Sequence, residues 1–339
     1  MKKVRIGIIC PSEIAFRRFM PALKKCEQFE YVGVAHANKD EWFCDDLSEF
    51  ERISNSDRQK AQNFCDTYGG KIYESYAQLL CDENVDAIYL PLPPALHYKW
   101  ADSALKSGKH VFLEKPSATR AVDTQDLVKT AKEKRLALHE NYMFSFHSQL
   151  DEIAQIVKSG ELGDIRLYRI AFGFPMRGAD DFRYKKSLGG GALLDCGGYT
   201  IKLAYQLLGD TAEVKCSTLN FTDDFDVDLY GSAALCNNKN EVAQITFGMD
   251  NSYKCDLEIW GSKACLLADR IFTAPVDFTP TAHIKSANGI KNIEFKSDDT
   301  FKKSIEHFYS CIVNENIKNE NYAKLIKQAQ LVDKVKGVK

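Results

Sequence analysis

Val4-Arg5-Ile6-Gly7-Ile8-Ile9-Cys10-Pro11-Ser12-Glu13-Ile14-Ala15-Phe16-Arg17-Arg18-Phe19 opens the chain with a short apolar run, a turn and a helical pattern. The run Val4–Cys10 is almost continuously apolar, which is the signature of a parallel strand covered on both faces. The same grammar returns at Tyr31–His36, Val85–Leu90, His110–Glu114 and Ala137–Asn141. Between these strands Ile14, Ala15, Phe19, Ala22, Leu23 and Cys26 recur at helical spacing. So do Leu96, Trp100, Ala101, Ala104 and Leu105, closed by Gly108 as a stop signal. Strands alternating with helices in this way predict a doubly wound parallel sheet, which binds its ligands at the carboxyl ends of the strands.

After about residue 160 the period changes. Ala243, Ile245, Phe247 and Met249 alternate with Gln244, Thr246 and Gly248, and Cys255, Leu257 and Ile259 alternate with Asp256 and Glu258. These are half-buried strands of a mostly antiparallel open sheet. Two helical patterns, near Phe301–Val313 and Tyr322–Val335, close the chain. The expected organisation is therefore an α/β nucleotide-binding domain over residues 1–141 and an α+β domain over 142–339. Residues 39–58 interrupt the rhythm with seven acids (Asp40, Glu41, Asp45, Asp46, Glu49, Glu51, Asp57) against Lys39, Arg52 and Arg58. This segment reads as a solvated loop or short helix.

A length of 339 residues with 45% hydrophobic and 27% charged residues suits two globular domains. The net charge of −2 and the absence of a basic, aromatic-studded stripe argue against nucleic acid as a partner. No run approaches the length of a membrane helix, and the first apolar run is too short for a secretory leader. Eleven cysteines with no C-x-x-C pair suggest neither a disulfide framework nor a zinc site, and the carboxylates and histidines show no metal-ligand spacing. The cytoplasm is the expected compartment.

A dinucleotide loop usually reads G-x-G-x-x-G. Here Cys10 and Ser12 stand at the first two glycine positions and Ala15 at the third, while Pro11 removes one N–H. The helix start at Glu13 and Ile14 still offers amide dipoles to a pyrophosphate. After the second strand, His36-Ala37-Asn38-Lys39 carries no acid at the tip to hold a ribose diol. Together with Lys39 and His36 this favours NADP, with NAD as the alternative. On these residues alone a strand–turn–helix without a ligand reads equally well.

Two later segments are more specific. One runs from Pro91-Leu92-Pro93-Pro94 through His97 to Gly108-Lys109-His110-Val111 and ends at Glu114-Lys115-Pro116. The other is Gly189-Gly190-Gly191-Ala192-Leu193-Leu194-Asp195, followed by Gly197 and Tyr199. Together they resemble the Gfo/Idh/MocA oxidoreductases, which act on sugars, cyclitols and nucleotide sugars. Within that family the chain looks most like the nucleotide-sugar 3-ketoreductases of deoxysugar biosynthesis, through Ile14–Arg18, Pro21–Leu23, Glu140–Phe144, Gln244–Met249, Arg270–Thr273 and Gln330–Asp333. It departs from them where Cys10 replaces a glycine and where His36-Ala37 replaces Ser-Arg. The resemblance implies a Rossmann-like first domain and a catalytic site carried by the lysine of E-K-P and a D-x-x-x-Y pair.

On their own chemistry these residues agree. Lys115 ends a strand and precedes a proline, which keeps its backbone extended. Its ammonium can hydrogen-bond a substrate oxygen and stabilise developing negative charge. Asp195 and Tyr199, four apart, share one face of a helix. A tyrosine ordinarily titrates at about 10, and a neighbouring ammonium lowers that toward a useful acid. Asp195 would orient Lys115 or a substrate hydroxyl. Glu114, Asn141, Pro91 and Leu92 are expected to line the cofactor, and His97 either lines the nicotinamide pocket or caps a turn. The family resemblance implies a place near the substrate for His147, with a core or interface histidine as the alternative; Arg183 and Arg177 could grip a diphosphate, though isolated arginines are more often surface groups.

The expected reaction is NADPH-dependent reduction of a 3-keto nucleotide sugar. The alternatives are oxidation of a free sugar, a cyclitol or a nucleotide-sugar hydroxyl, and a catalytically silent NAD(P)-binding regulatory protein. By family resemblance the chain is expected to form a homodimer or homotetramer.

Overall fold

The computed structural model describes residues 3–41, 47–178 and 180–337, so Asp45 and Asp46 of the acidic segment lie outside it. The chain divides into two compact units. The first comprises Met1–Ala118, Val122–Asn141 and Phe301–Leu325, and the second comprises Thr119–Ala121, Tyr142–Thr300 and Ile326–Lys339. Residues 301–325, expected in the second domain, belong to the first unit. The reason is packing: Phe308 lies 5.4 Å from Phe112 and 6.0 Å from Phe29, and the Tyr322 hydroxyl donates to the Leu136 carbonyl.

In the first unit six strands form one parallel sheet: β1 (Val4–Ile9), β2 (Phe29–Ala35), β3 (Lys71–Tyr73), β4 (Ala87–Leu90), β5 (His110–Glu114) and β6 (Leu138–Asn141). Their order is β3-β2-β1-β4-β5-β6, with every pairing parallel. The apolar runs behave as parallel strands should. Ile6, Ile8 and Ile9, all of β4 and Val111–Leu113 are fully buried. The three-residue β3 carries too short and too polar a run to be read from periodicity. The connecting helices are α1 (Met20–Leu23, entered through a π-turn at Ala15–Phe19), α2 (Leu47–Tyr68), α3 (Tyr76–Cys81), α4 (Pro94–Lys106) and α5 (Ala121–Lys134). The acidic segment enters α2, so its residues from 47 onward are helical over a length greater than expected.

The second unit holds an eight-stranded sheet: β7 (Ile165–Gly173), β8 (Glu213–Thr222), β9 (Phe225–Cys236), β10 (Val242–Gly248), β11 (Lys254–Gly261), β12 (Ala264–Asp269), β13 (Thr281–Ser286) and β14 (Gly289–Glu294). The order is β14-β13-β12-β11-β7-β10-β9-β8. Only β10 with β7 is parallel. Its alternating residues face a core that includes Ile245, Phe247, Leu257 and Ile259. Helix α6 (Ser148–Lys158) precedes β7, α7 (Gly198–Leu208) lies between β7 and β8, and α8 (Thr300–Val313) and α9 (Glu315–Gly337) close the chain. Among the described residues no helix is long and apolar enough to cross a membrane.

Candidate active site

The site begins at the carboxyl end of β1. Cys10 follows the strand with φ 77, a left-handed conformation that suits glycine. Its amide donates to the Ala35 carbonyl (3.0 Å), which fixes the loop to the end of β2. The Ser12 hydroxyl accepts from the Ala15 amide (3.2 Å) and so caps the helix. Glu13 and Ile14 form the first helical positions, where amides lack intrahelical partners and can face a pyrophosphate. Desolvation, added to by Asp57, pushes the Cys10 thiol up to about 12, so it is no nucleophile at neutral pH.

At the tip of β2 the structure uses its charged groups locally. His36 is buried with Nε2 3.3 Å from Glu74. Glu41 accepts the amides of Asn38 (3.1 Å), Tyr76 (2.9 Å) and Ala77 (2.8 Å), tying the tip to the start of α3. That carboxylate is already satisfied, and a ribose diol would have to displace these bonds to reach it.

The loops after β4 and β5 are joined by His97. Its ring is wholly buried, with Nε2 2.7 Å from the Leu92 carbonyl and Nδ1 2.6 Å from the Pro116 carbonyl. A neutral imidazole donates to only one of these at a time. Burial pushes His97 down to about 4, against the two carbonyls that favour its charged form. The residue thus ties Pro91-Leu92 to the loop that carries Lys115, whose peptide to Pro116 is cis. Lys115 itself is half-buried at the strand end.

Beneath it lies a buried polar chain. The Tyr89 hydroxyl and the Asn141 amide both donate to Glu114 Oε1 at 2.7 Å, and the Ser304 hydroxyl donates to Asn141 Oδ1 at 2.9 Å. His139 Nε2 adds 2.9 Å to Ser304. Burial raises the Glu114 pKa, while Asn141, Tyr89 and the neighbouring Lys115 pull it back toward the charged form. Glu114 and Asn141 act here as supports for the strand ends. Their partners lie on different strands and on α8, separations that no local motif announces.

In the second unit, Gly189–Gly191 lead into a π-turn at Leu193–Gly197 and then α7. At two of these glycines the surroundings leave no room for a side chain. A Cβ at Gly190 would lie 2.3 Å from the Arg183 carbonyl oxygen, and one at Gly191 would lie 2.4 Å from the Asp228 carboxylate. Asp228 accepts the Leu193 amide at 2.7 Å and anchors the turn from β9. The π-turn is wider than the α-turn assumed from the spacing of Asp195 and Tyr199. Asp195 receives Arg183 Nε at 2.8 Å, and the same guanidinium reaches Asp181 at 3.1 Å and 3.2 Å. Arg183, read as a diphosphate grip, is therefore engaged by two carboxylates. Burial opposes its charge, but Asp195 and then Asp181 hold its pKa above the ordinary value.

Tyr199 stands in an aromatic cage: Tyr142 (5.2 Å), Phe172 (5.3 Å), Phe144 (5.7 Å) and Phe272 (5.8 Å) surround its ring, and its hydroxyl lies 3.8 Å from the Met143 sulfur. The cage fixes the ring, which leaves the hydroxyl as the part able to act. His147 caps α6, accepting the Gln149 amide at 3.1 Å.

Family models match both parts of the chain: "Oxidoreductase family, NAD-binding Rossmann fold" over residues 5–142 and "GFO/IDH/MocA C-terminal domain" over 150–267. A dTDP-3,4-didehydro-2,6-dideoxy-alpha-D-glucose 3-reductase of Actinomadura kijaniata is 34% identical over 98% of this chain and 95% of its own length. A protein of the same name from Streptomyces violaceoruber is 34% identical over 99% of this chain and 95% of its own length. The crystal structure of a 3-ketoreductase from Actinomadura kijaniata, in complex with NADP and TDP-benzene, matches with a TM-score of 0.89 and 34% identity, covering 99% of this chain and 97% of that one. Variants of that ketoreductase were solved with a tyrosine changed to phenylalanine and a lysine changed to alanine. Those two positions are 84 apart, the separation of Lys115 and Tyr199 here. With both domain models matched in order and a relative aligned from end to end, the chain belongs to the Gfo/Idh/MocA family of oxidoreductases, with an NAD-binding Rossmann domain at its N-terminus.

Proposed function

We propose that this protein reduces the C3 carbonyl of a keto nucleotide sugar with NADPH. The observation that carries this reading is the caged Tyr199 four residues after an Arg183-bound Asp195, together with a lysine at the E-K-P strand end in the spacing of the ketoreductase. The amide cradle at Glu13 and Ile14 fits a dinucleotide pyrophosphate, and the satisfied Glu41 favours NADP over NAD. The cofactor, when bound, supplies the hydride.

Tyr199 donates its hydroxyl proton to the substrate oxygen, and its caged ring lets it do so without reorientation. Lys115 hydrogen-bonds that oxygen and stabilises the negative charge developing on it. Asp195, held by Arg183, keeps the polar network in one arrangement. The protein acts in the cytoplasm, where thiols such as those of Cys10, Cys65 and Cys311 persist. It assembles as a homo-oligomer through the outer face of the eight-stranded sheet, which exposes Trp260 (49%), Leu267 (38%) and Ile290 (66%).

Replacing Tyr199 by phenylalanine and Lys115 by alanine tests the reading. Each is expected to lower kcat by about 10²-fold or more, the share that general acid catalysis or one oxyanion donor supplies. Unchanged turnover in both variants would sink it.

A further inference from the structure

His139 and Ser304 are buried polar residues that the chemistry so far does not use. His139 is 2% exposed and Ser304 is closed off from solvent altogether. They lie on different elements of the first unit, His139 on β6 and Ser304 on α8, and meet at 2.9 Å. Polar groups buried this deeply cost stability unless each finds a partner, and here the partners lead to the strand end that carries Lys115.

The hydrogens along this chain can run only one way. Asn141 gives an N–H to Glu114 Oε1, and its amide oxygen can only accept. The Ser304 hydroxyl has a single proton, which it donates to that oxygen at 2.9 Å. The Ser304 oxygen then accepts from His139, whose Nε2 must carry a hydrogen. The Tyr89 hydroxyl also donates to Glu114 Oε1, so every dipole from His139 onward points at Glu114. Donors aligned in a dry interior strengthen one another and favour the ionised carboxylate. The Lys115 amide hydrogen-bonds the same carboxylate, and the Lys115 charge acts on it. At the far end the His139 ring is held by Phe112 of β5 at 4.9 Å and Phe308 of α8 at 6.2 Å.

We propose that His139 and Ser304 are positioning residues for the reduction: through Asn141 they keep Glu114 ionised and in place, and Glu114 fixes the backbone from which the Lys115 ammonium reaches the substrate oxygen. A donor stabilises developing charge fully only when it already stands where that charge will appear, so a slack support costs rate before it costs binding. This rests on the reductase reading and adds to it two residues, one of them on a helix far from Lys115 in sequence.

Steady-state NADPH oxidation by the full chain, with a 3-keto dTDP-sugar as substrate, tests it. Ser304→Ala removes the link to Asn141. His139→Phe keeps the ring packing and removes the donor, and His139→Gln restores a side-chain N–H. Ser304→Ala and His139→Phe are each expected to lower kcat by roughly 3- to 10-fold, the share of one neutral hydrogen bond. KM and NADPH affinity should stay within about twofold of wild type, because the support acts on the reacting state. His139→Gln should recover most of kcat. In a Lys115→Ala background the same replacements should change kcat by no more than about twofold, since they act through that lysine. Residues that only stabilise the fold would lower the melting temperature and leave kcat unchanged, which would overturn the inference, as would an equal loss of kcat with and without Lys115. If Lys115→Ala is impaired while Ser304→Ala and His139→Phe are not, the positioning role fails and the reductase reading stands. If Lys115→Ala turns over like wild type, the reductase reading itself fails and this assignment falls with it. Should Ser304→Ala not fold, His139→Phe against His139→Gln carries the comparison, and equal kcat in that pair overturns the inference.

Discussion

Replacing Arg183 by methionine separates two roles for this arginine, the diphosphate grip that the sequence suggested and the hold on Asp195 found in the folded chain. The structure supports the second. At 2.8 Å between Arg183 Nε and Asp195 Oδ2, the attraction at an effective dielectric of 20 is about 6 kcal/mol before desolvation is subtracted. The side chains are only 20% and 14% exposed, so much of that is offset by the cost of burying both charges. What remains is the net worth of a hydrogen bond between charged groups, about 1.5–3 kcal/mol. If Asp195 must keep its place for Tyr199 and Lys115 to act, Arg183→Met should lower kcat/KM by roughly 10- to 150-fold.

The decisive assay is a double-mutant cycle with Asp195→Asn in steady-state kcat/KM. An arginine that acts only through Asp195 adds nothing once Asp195 is neutralised, so the double variant should match Asp195→Asn to within about 0.5 kcal/mol. An arginine that grips the diphosphate directly would add its full effect to that of Asp195→Asn. Additive free energies in the cycle would therefore refute the positioning role.

Three further outcomes follow from the same geometry. Cys10→Gly removes a left-handed penalty of about 1–2 kcal/mol and adds about 0.5–1 kcal/mol of chain entropy. It should therefore hold or raise the melting temperature, where Cys10→Ala gains nothing; a clear fall in the glycine variant would contradict the backbone reading. His97 and His110 are each pushed down to about 4 by burial. Their folded pKa lies below the ordinary value of about 6.5, so the stability they contribute is whole above that pH and is lost as pH falls toward 4. Each contributes on the order of 3 kcal/mol. Melting curves from pH 7 to 4 should show this loss, and His110→Gln should flatten part of it. Gly190→Ala drives a Cβ to 2.3 Å from the Arg183 carbonyl oxygen, against backbone that cannot rotate away. A destabilisation of about 3 kcal/mol with loss of activity is expected, and a variant that melts and turns over like wild type would show that the loop can shift.

The sequence by itself determined the two sheets and the residues proposed to react. Parallel strands buried on both faces must be apolar throughout and half-buried antiparallel strands must alternate, so β1, β5 and β10 were legible from residue types alone. Lys115, Asp195 and Tyr199 stood out because the E-K-P and D-x-x-x-Y patterns are local in sequence and resemble those of the Gfo/Idh/MocA oxidoreductases. Tertiary structure decided what each of those residues leans on. The pairing of Arg183 with Asp195 and the chain from Tyr89 through Glu114 and Asn141 to Ser304 and His139 both join positions distant in sequence. Tertiary structure also decided that residues 301–325 pack with the first unit, because Phe308 and Tyr322 find partners there and an amphipathic period does not say which core a helix will meet. Hydrophobic periodicity records which face of an element is buried, whereas hydrogen bonds and ion pairs depend on which distant group is brought opposite, and only the folded chain supplies that.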